Sequence, residues 1–375
     1  MVNFFKRVHN MFAVSDKVIW SLLSAILLYS LLLIKSASRT SGETFYRSQL
    51  LALVLGLAVM VFAVFFDYES LIENWKFTSA LCVFLMVFSL IFGINIKGIS
   101  GVNARAWIKI PNGPTFQPSE LAKIGFILTF SKHLHFLKSK NILDKPINLV
   151  CLLGHVLVPV LLTHFQGDDG AAVIFIFIFI FMAFISGIKM RYFLYLVTIF
   201  TLSVPLLWKY VLMPYQKNRI INQLNPENDP LGVGFQQIQA KLSIGSGGFF
   251  GKGIFKGDRV FDRVVPVQES DFILSVAGEE LGFAGCFLII VLISCLVCRI
   301  FYITKNCAKI SGIYICFGII SLIVSQTIFN IGMCLSLLPT VGVTLPFFSA
   351  GGSSLFCLLL SMGIIQNIYI KSNNP

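Results

Sequence analysis

The stretch DFILSVAGEELGFAGCFLIIVLISCLVCRIFY, residues 271 to 302, decides how this chain is read. It is apolar for most of its length, with charge confined to Asp271, Glu279 and Glu280 near one end and Arg299 near the other. A bilayer core of about 30 Å is crossed by about 20 apolar residues, whereas one continuous helix over this tract would run about 48 Å at 1.5 Å per residue. The surplus first third carries Glu279 and Glu280. These carboxylates are therefore expected either in a protein-lined outer vestibule or next to Gly278, Gly282 and Gly285, and need not face lipid.

Nine further apolar runs lie near 17–35, 47–66, 76–95, 118–136, 146–165, 170–188, 191–211, 309–334 and 341–370. Hydrophobic residues make up 56% of the chain and charged residues 12%, far below the roughly 25% charged residues of a soluble domain. The expected fold is an all-α polytopic membrane protein of about ten transmembrane helices, a single integral membrane domain over 1–375. Helices 1–7 fall within 1–211, a long extracytoplasmic loop spans 212–270, and helices 8–10 fall within 271–375. The first run begins only after MVNFFKRVHNMFAVSDK and lacks a small-residue cleavage site behind it, so it reads as a retained helix. With the N-terminus cytoplasmic, fourteen Lys and Arg fall in inner segments and six (Lys35, Arg39, Arg47, Lys97, Arg105, Lys109) in the short outer loops. That bias places both termini on the cytoplasmic side.

Net charge is +12, but the cations are scattered among apolar spans with no basic arm, so anionic lipid and topology account for them better than nucleic acid. Nine cysteines are present, none in the polar segment 211–270, which argues against a disulfide framework. Cys295 and Cys298 form a C-x-x-C without a second pair and read as packing. His133, His135, His155 and His164 have no partner at metal-ligand spacing and read the same way. The glycine-rich IGSGGFFGKG fails as a phosphate loop, because Ser246 stands where the first glycine is needed and Gly253 where Ser or Thr is needed. Its glycines suit tight turns and close backbone approach to a lipid head group.

Two outer segments are long: INIKGISGVNARAWIKIPNGPTFQ, and the loop of about 60 residues before Asp271. The second contains LGVGFQQIQAKLSIGSG, expected as a helix lying on the membrane with Phe235, Ile238 and Leu242 inward. In PSELAK, Pro118 suits a helix start, Gln117 or Ser119 can satisfy free amides, and Glu120 and Lys123 sit three apart on one face. They read either as a structural ion pair or as part of a polar cavity. In QGDDGAAV, Asp168 and Asp169 open a span, where the helix dipole alone favours acids. The topology puts Glu120, Lys123, Asp168, Asp169 and Asp271 at the outer ends of their spans. Isolated ion pairs have no reason to share one face, whereas a single polar, outward-opening site built from spans four, six and eight explains it.

FQPSELAK, YQKNRIINQLNPENDPLG, QAKLSIGSGG, SDFILSVAGEELGF and LPTVGVTLPFFSAGGSS, in this order on ten spans, resemble the SEDS family (shape, elongation, division and sporulation). The YQKNRI to NPENDPLG run is most similar to its RodA branch, while LPTVGVTLP is similar to both RodA and its divisome relative FtsW. The resemblance implies a peptidoglycan glycosyltransferase that polymerises lipid II at the outer face of a bacterial cytoplasmic membrane during cell elongation. It further implies Asp271 as the essential acid, Glu120 and Lys123 as the E-x-x-K pair and Asp168 as a further acid. Departures are Glu269 and Ser270 in place of His and Thr, Gly167 in place of Pro, and Ala350 in place of Tyr. Asp271 is then the general base, Lys123 a cationic contact poised by Glu120, and Asp168 an orienter of Lys123 or a metal ligand. Candidate substrate contacts are Arg105, Lys109, Arg219, Lys241, Ser270, Glu279, Glu280 and Ser353. A divalent cation, Mg or Mn, is a candidate cofactor, and a class B penicillin-binding protein transpeptidase with other elongation proteins are the implied partners. The weighed alternatives are a lipid-linked precursor flippase or transporter, a non-catalytic scaffold for a cell-wall transpeptidase, and a division-specific FtsW-type member. A transporter would place its charged site near the bilayer midplane and show an inverted repeat, and no repeat is evident.

Overall fold

The computed structural model describes residues 12–41, 44–97, 103–109, 115–211, 217, 221, 227 and 234–373. In hydrocarbon every backbone amide and carbonyl must be satisfied internally, and apolar runs of this length do so as helices. They are α1 (Lys17–Ala37), α2 (Thr44–Phe65), the short α3 (Tyr68–Glu73), α4 (Trp75–Phe92), α5 (Pro118–Ser139), α6 (Pro146–Phe165), α7 (Asp169–Ser186) and α8 (Met190–Leu206). After these come α9 (Phe235–Ser246), α10 (Asp258–Phe261), α11 (Ile273–Lys305), α12 (Ile310–Cys334) and α13 (Gly352–Asn373). Among the described residues nine helices are long and apolar enough to cross a membrane. The tenth long helix, α5, carries Glu120, Lys123, Lys132 and Lys138, yet it is buried among α4, α6, α7, α12 and α13. The charges of Glu120 and Lys123 are tolerable because protein, not lipid, surrounds them, whereas Lys138 is exposed near the opposite end of the helix. No residue of α8 is fully buried; Tyr192 and Phe193 in its first turn pack against the core, and most of the rest is exposed.

Asp16 caps α1, accepting from the Ile19 amide at 2.8 Å, and also pairs with Arg299 at the far end of α11. Its own amide donates to Gln366 Oε1 of α13 at 2.8 Å, so the described residues nearest both termini meet at one end of the bundle. The opposite end carries the loops. There the described residues of INIKGISGVNARAWIKIPNGPTFQ form a three-stranded antiparallel sheet, β1 (Ile94–Lys97), β2 (Asn103–Lys109) and β3 (Thr115–Phe116), where the sequence suggests only a loop. The Arg105 amide leaves the strand ladder to bind the Gln166 carbonyl at 2.9 Å, tying the sheet to the end of α6.

The opening tract is not one straight helix. It breaks at Gly282, where φ is 68° and ψ is −161°, a conformation open essentially to glycine alone. The piece after the break, residues 283–305, spans about 34 Å and suits the bilayer core; the piece before it, 273–281, is buried in protein. Breaking the helix strands backbone groups, and the glycine-rich turn 247–253 takes them up. Lys252 and Gly253 amides donate to the Glu279 and Glu280 carbonyls at 3.0 and 2.9 Å, and Phe283 and Ala284 amides donate to the Gly248 and Phe249 carbonyls at 2.9 and 3.0 Å. A Cβ on Gly282 would stand 2.4 Å from the Gly251 nitrogen. These glycines thus permit close approach to the backbone of α11, not to a lipid head group as the sequence reading had it.

The same splint accounts for the two acids. Both side chains are fully buried. Glu279 accepts from Lys252 Nζ at 2.8 Å and from the Arg259 and Val260 amides at 3.0 and 2.9 Å. Glu280 accepts from Ser36 Oγ at 2.7 Å and Arg39 Nη2 at 3.2 Å. They anchor the loop and face no vestibule, which corrects their assignment as substrate contacts. Helix α9 forms as expected, but it packs Gln237, Ala240 and Ser243 inward against α11 and α12 and leaves Leu242 exposed. Its small residues allow closer helix contact than the Phe235, Ile238 and Leu242 stripe would. The final span starts at Gly352, not near 341. Residues 341–351, between Pro339 and the helix, are irregular backbone folded into the bundle, with Leu345, Phe347 and Phe348 buried.

Candidate functional site

The site forms where the N-termini of α5 and α7 meet the turn before α11. Pro118 and Glu120 lie in the first turn of α5, and Glu120 Oε1 accepts from Nζ of Lys123, about one turn on, at 2.8 Å. Their side chains are 10% and 2% exposed, so each charge depends on the other for its neutralisation. Asp168 caps α7, its Oδ1 accepting from the Ala171 amide at 3.0 Å. Its Oδ2 accepts from Gln117 Nε2 at 2.7 Å and Ser119 Oγ at 3.2 Å. Gln117 and Ser119 therefore do not cap α5, as expected, but bind it to α7 through one carboxylate. Two positive helix ends converge there, a setting that favours anions.

Asp271 stands on the turn preceding α11. Its backbone carbonyl accepts from Asn330 Nδ2 of α12 at 2.8 Å, and its Oδ2 lies 3.8 Å from where a Cβ on Gly342 would stand. Burial lifts its carboxyl to about 6; the Ser270 hydroxyl lowers it and the negative charge of Asp168 raises it. Burial also raises Asp168, against the Ala171 amide and the nearby Lys123 charge that lower it, while Glu120 raises it further. Residues about 150 positions apart in sequence thus share one electrostatic environment. Glu269, one of the departures from the family pattern, is buried and lies 2.7 Å from Arg263, an ion pair by distance whose atoms are not aligned for a hydrogen bond. Its carbonyl accepts from the amide of Ala350, another departure, at 2.8 Å.

Ser353 sits at the start of α13, accepting from the Gln117 amide at 3.0 Å, so it borders the site, as does Ser270 beside Asp271. Arg105 and Lys109 are exposed on β2 and Lys241 is exposed on α9, all at the loop-bearing end. Arg219 lies outside the described residues. Asp169 is exposed and pairs with His164 at 2.8 Å rather than joining the cluster. The sequence reading missed Asn330, although an Asn within an apolar span was a usable signal. It also missed that His133 and His155 meet across α5 and α6, with their Nδ1 atoms 3.3 Å apart. Among the described residues no three His, Cys, Asp or Glu side chains stand together to hold a metal ion. Both oxygens of Asp168 and Oε1 of Glu120 already accept from the protein, so these residues offer no ready cage for a divalent cation, and the chemistry derived below uses none.

A family profile described as a cell cycle protein, FTSW_RODA_SPOVE, matches residues 10–374. The chain is 36% identical over 325 residues to stage V sporulation protein E of Bacillus subtilis (strain 168), covering 86% of each chain. It is 32% identical over 356 residues to peptidoglycan glycosyltransferase MrdB of Escherichia coli (strain K12), covering 94% of this chain and 93% of that protein. A chain from a solved structure reported as the structural coordination of polymerization and crosslinking by a peptidoglycan synthase complex superposes with a TM-score of 0.82 at 27% identity, over 96% of this chain and 99% of that one. With the profile covering nearly the whole chain and the fold shared, the protein belongs to the SEDS family, the FtsW, RodA and SpoVE group of polytopic membrane proteins.

Proposed function

We propose that this protein polymerises lipid II into glycan strands, as a peptidoglycan glycosyltransferase working at the outer face of the cytoplasmic membrane in a RodA-like elongation role. The observation that carries the reading is that Asp168 stands near enough to act on Asp271 with its charge and to feel the charges of the buried Glu120–Lys123 pair, all at the loop-bearing end. The acceptor sugar's 4-hydroxyl gives its proton to Asp271 as its oxygen forms a bond to C1 of the donor. The C1–O bond to undecaprenyl pyrophosphate breaks, and that group departs with the electron pair. Because the leaving group carries its own charge, no second carboxylic acid is required, and the configuration at C1 inverts. A carboxyl lifted to about 6 is basic enough to accept a proton yet largely ionised at pH 7. Lys123, held by Glu120, and the converging ends of α5 and α7 stabilise the anion. Arg105, Lys109, Lys241, Ser270 and Ser353 are the candidate contacts for the sugar and its peptide. Orientation with both termini cytoplasmic follows from the Lys and Arg bias. A class B penicillin-binding protein is the proposed partner, supported by the related chain's place in a synthase complex that couples polymerisation to crosslinking. Purified protein supplied with lipid II should make glycan polymer, and Asp271→Ala and Lys123→Ala, folded as the wild type, should not. Translocation of lipid II without polymer would instead favour a flippase.

A further inference from the structure

Asp168 and Asp271 belong to helices far apart in sequence, and nothing binds one side chain to the other directly. A continuous set of contacts nevertheless fixes their separation. At Gly170, in the first turn of α7, an added Cβ would stand 2.0 Å from the Val341 carbonyl oxygen, so the backbone of 341 rests against that turn. Two residues on, the Val343 carbonyl accepts from Asn330 Nδ2 at 2.8 Å, and the same nitrogen donates to the Asp271 carbonyl at 2.8 Å. Asn330 is fully buried in α12. Gly342, with φ of 63°, lies between these contacts and leaves the space beside Asp271 Oδ2 open. A neighbouring bond reinforces the arrangement: Ser349 Oγ donates to the Ser270 carbonyl while accepting from the Leu345 amide at 2.8 Å.

We propose that Asn330 is a positioning residue for the transfer reaction: its amide fastens the turn of Asp271 to the 341–343 segment, which abuts the start of α7, and so sets where the Asp271 carboxylate stands relative to Asp168. The physical case is economical. An apolar helix gains nothing from an Asn by itself, whereas irregular backbone buried in protein needs its carbonyls satisfied, and one amide group here serves two of them. The cost of misplacement falls on catalysis, because a shift of about 1 Å in a reacting group can lower the rate about 100-fold. Asn330 itself reaches no substrate, so the affinity for lipid II should be untouched.

The inference rests on the glycosyltransferase reading, and the experiment separates the two. Full-length wild type, Asp271→Ala, Asn330→Ala, Asn330→Asp and Ser349→Ala are purified in detergent, their folded fraction is measured, and polymerisation is followed over a range of lipid II concentrations. Per folded molecule, both Asn330 variants should lose about 10- to 100-fold in kcat with KM within about twofold, and Ser349→Ala, which keeps the amide, about 3- to 10-fold. A merely structural Asn330 would reduce the folded fraction and leave kcat of the remainder at the wild-type value, which overturns the proposal; so does a rise in KM at constant kcat. If the Asn330 variants cannot be purified, a folded Ser349→Ala with wild-type kcat overturns it instead. Polymer from Asp271→Ala at the wild-type rate, or none from the wild type, removes the glycosyltransferase reading and this inference with it.

Discussion

Replacing Asp271 by Asn exchanges the proposed proton acceptor for an uncharged group of the same shape, and the consequence for stability runs opposite to that for activity. In the wild type, burial and the charge of Asp168 lift the carboxyl to about 6, with partial relief from Ser270, against about 3.9 for an unperturbed Asp. The folded chain therefore binds this proton more tightly than the unfolded chain. The stability this contributes is fully present below about pH 4 and is lost as pH rises through about 6. Two pKa units at about 1.4 kcal/mol each give at most about 3 kcal/mol, reduced where solvent reaches the carboxylate. Asn has no charge to desolvate. Asp271→Asn should accordingly melt on the order of a few degrees above the wild type at pH 8, and the gap should shrink to about a third of that at pH 4.5. Thermal unfolding of both proteins in one detergent at the two pH values reads this directly, with lipid II polymerisation as the parallel assay. An Asn variant that melts at or below the wild type at pH 8, or shows the same gap at both pH values, would refute the reasoning that Asp271 is held at a cost for its chemistry.

The polymerisation rate of the wild type should fall about tenfold per pH unit below about 6, where Asp271 takes up its proton; Asp168→Asn removes a neighbouring negative charge and should move that acid limb to lower pH. Glu120→Gln or Lys123→Met alone leaves one buried charge without its partner and should cost about 3–5 kcal/mol, while the double variant should recover much of it, as thermal melts in a double-mutant cycle would register. Gly282→Ala combines a strained backbone with a Cβ driven into the Gly251 nitrogen and should cost on the order of 3 kcal/mol or more, read as lost folded protein on size-exclusion chromatography. Glu279→Gln weakens its contacts to Lys252, Arg259 and Val260, and limited proteolysis should cut faster within residues 251–260.

Several parts of this architecture were legible in the residues. Runs of apolar sequence placed the long helices to within a few positions, save the start of the last one, and the spacing of Glu120 and Lys123 put the pair on one face of α5, where it forms. The common end of Glu120, Lys123, Asp168 and Asp271 followed from counting spans. Other parts were not. Glu279 and Glu280 carry the same charge and stand in the same kind of apolar setting as Asp271, yet they bind a loop while Asp271 borders the site. Gln117 and Ser119 were read as caps for their own helix, and they bind its neighbour instead. The strands after α4 are short, and although INIK and NARA alternate apolar and polar residues, so brief a pattern does not by itself separate a strand from a loop; their pairing satisfies backbone groups that local propensity alone leaves open.

Many membrane crossings, and acids and a lysine gathered at one end, are written into the order of residues, because hydrophobic run length and span parity are properties of the chain order. Which of those ionisable groups have their charge taken up by neighbouring backbone, and which border the site, depends on packing in three dimensions. That choice is made by contacts between residues as far apart as Asn330 and Asp271, or Glu280 and Ser36. A buried carboxylate is committed by the donors that surround it, and those donors come from elements whose approach no local pattern encodes.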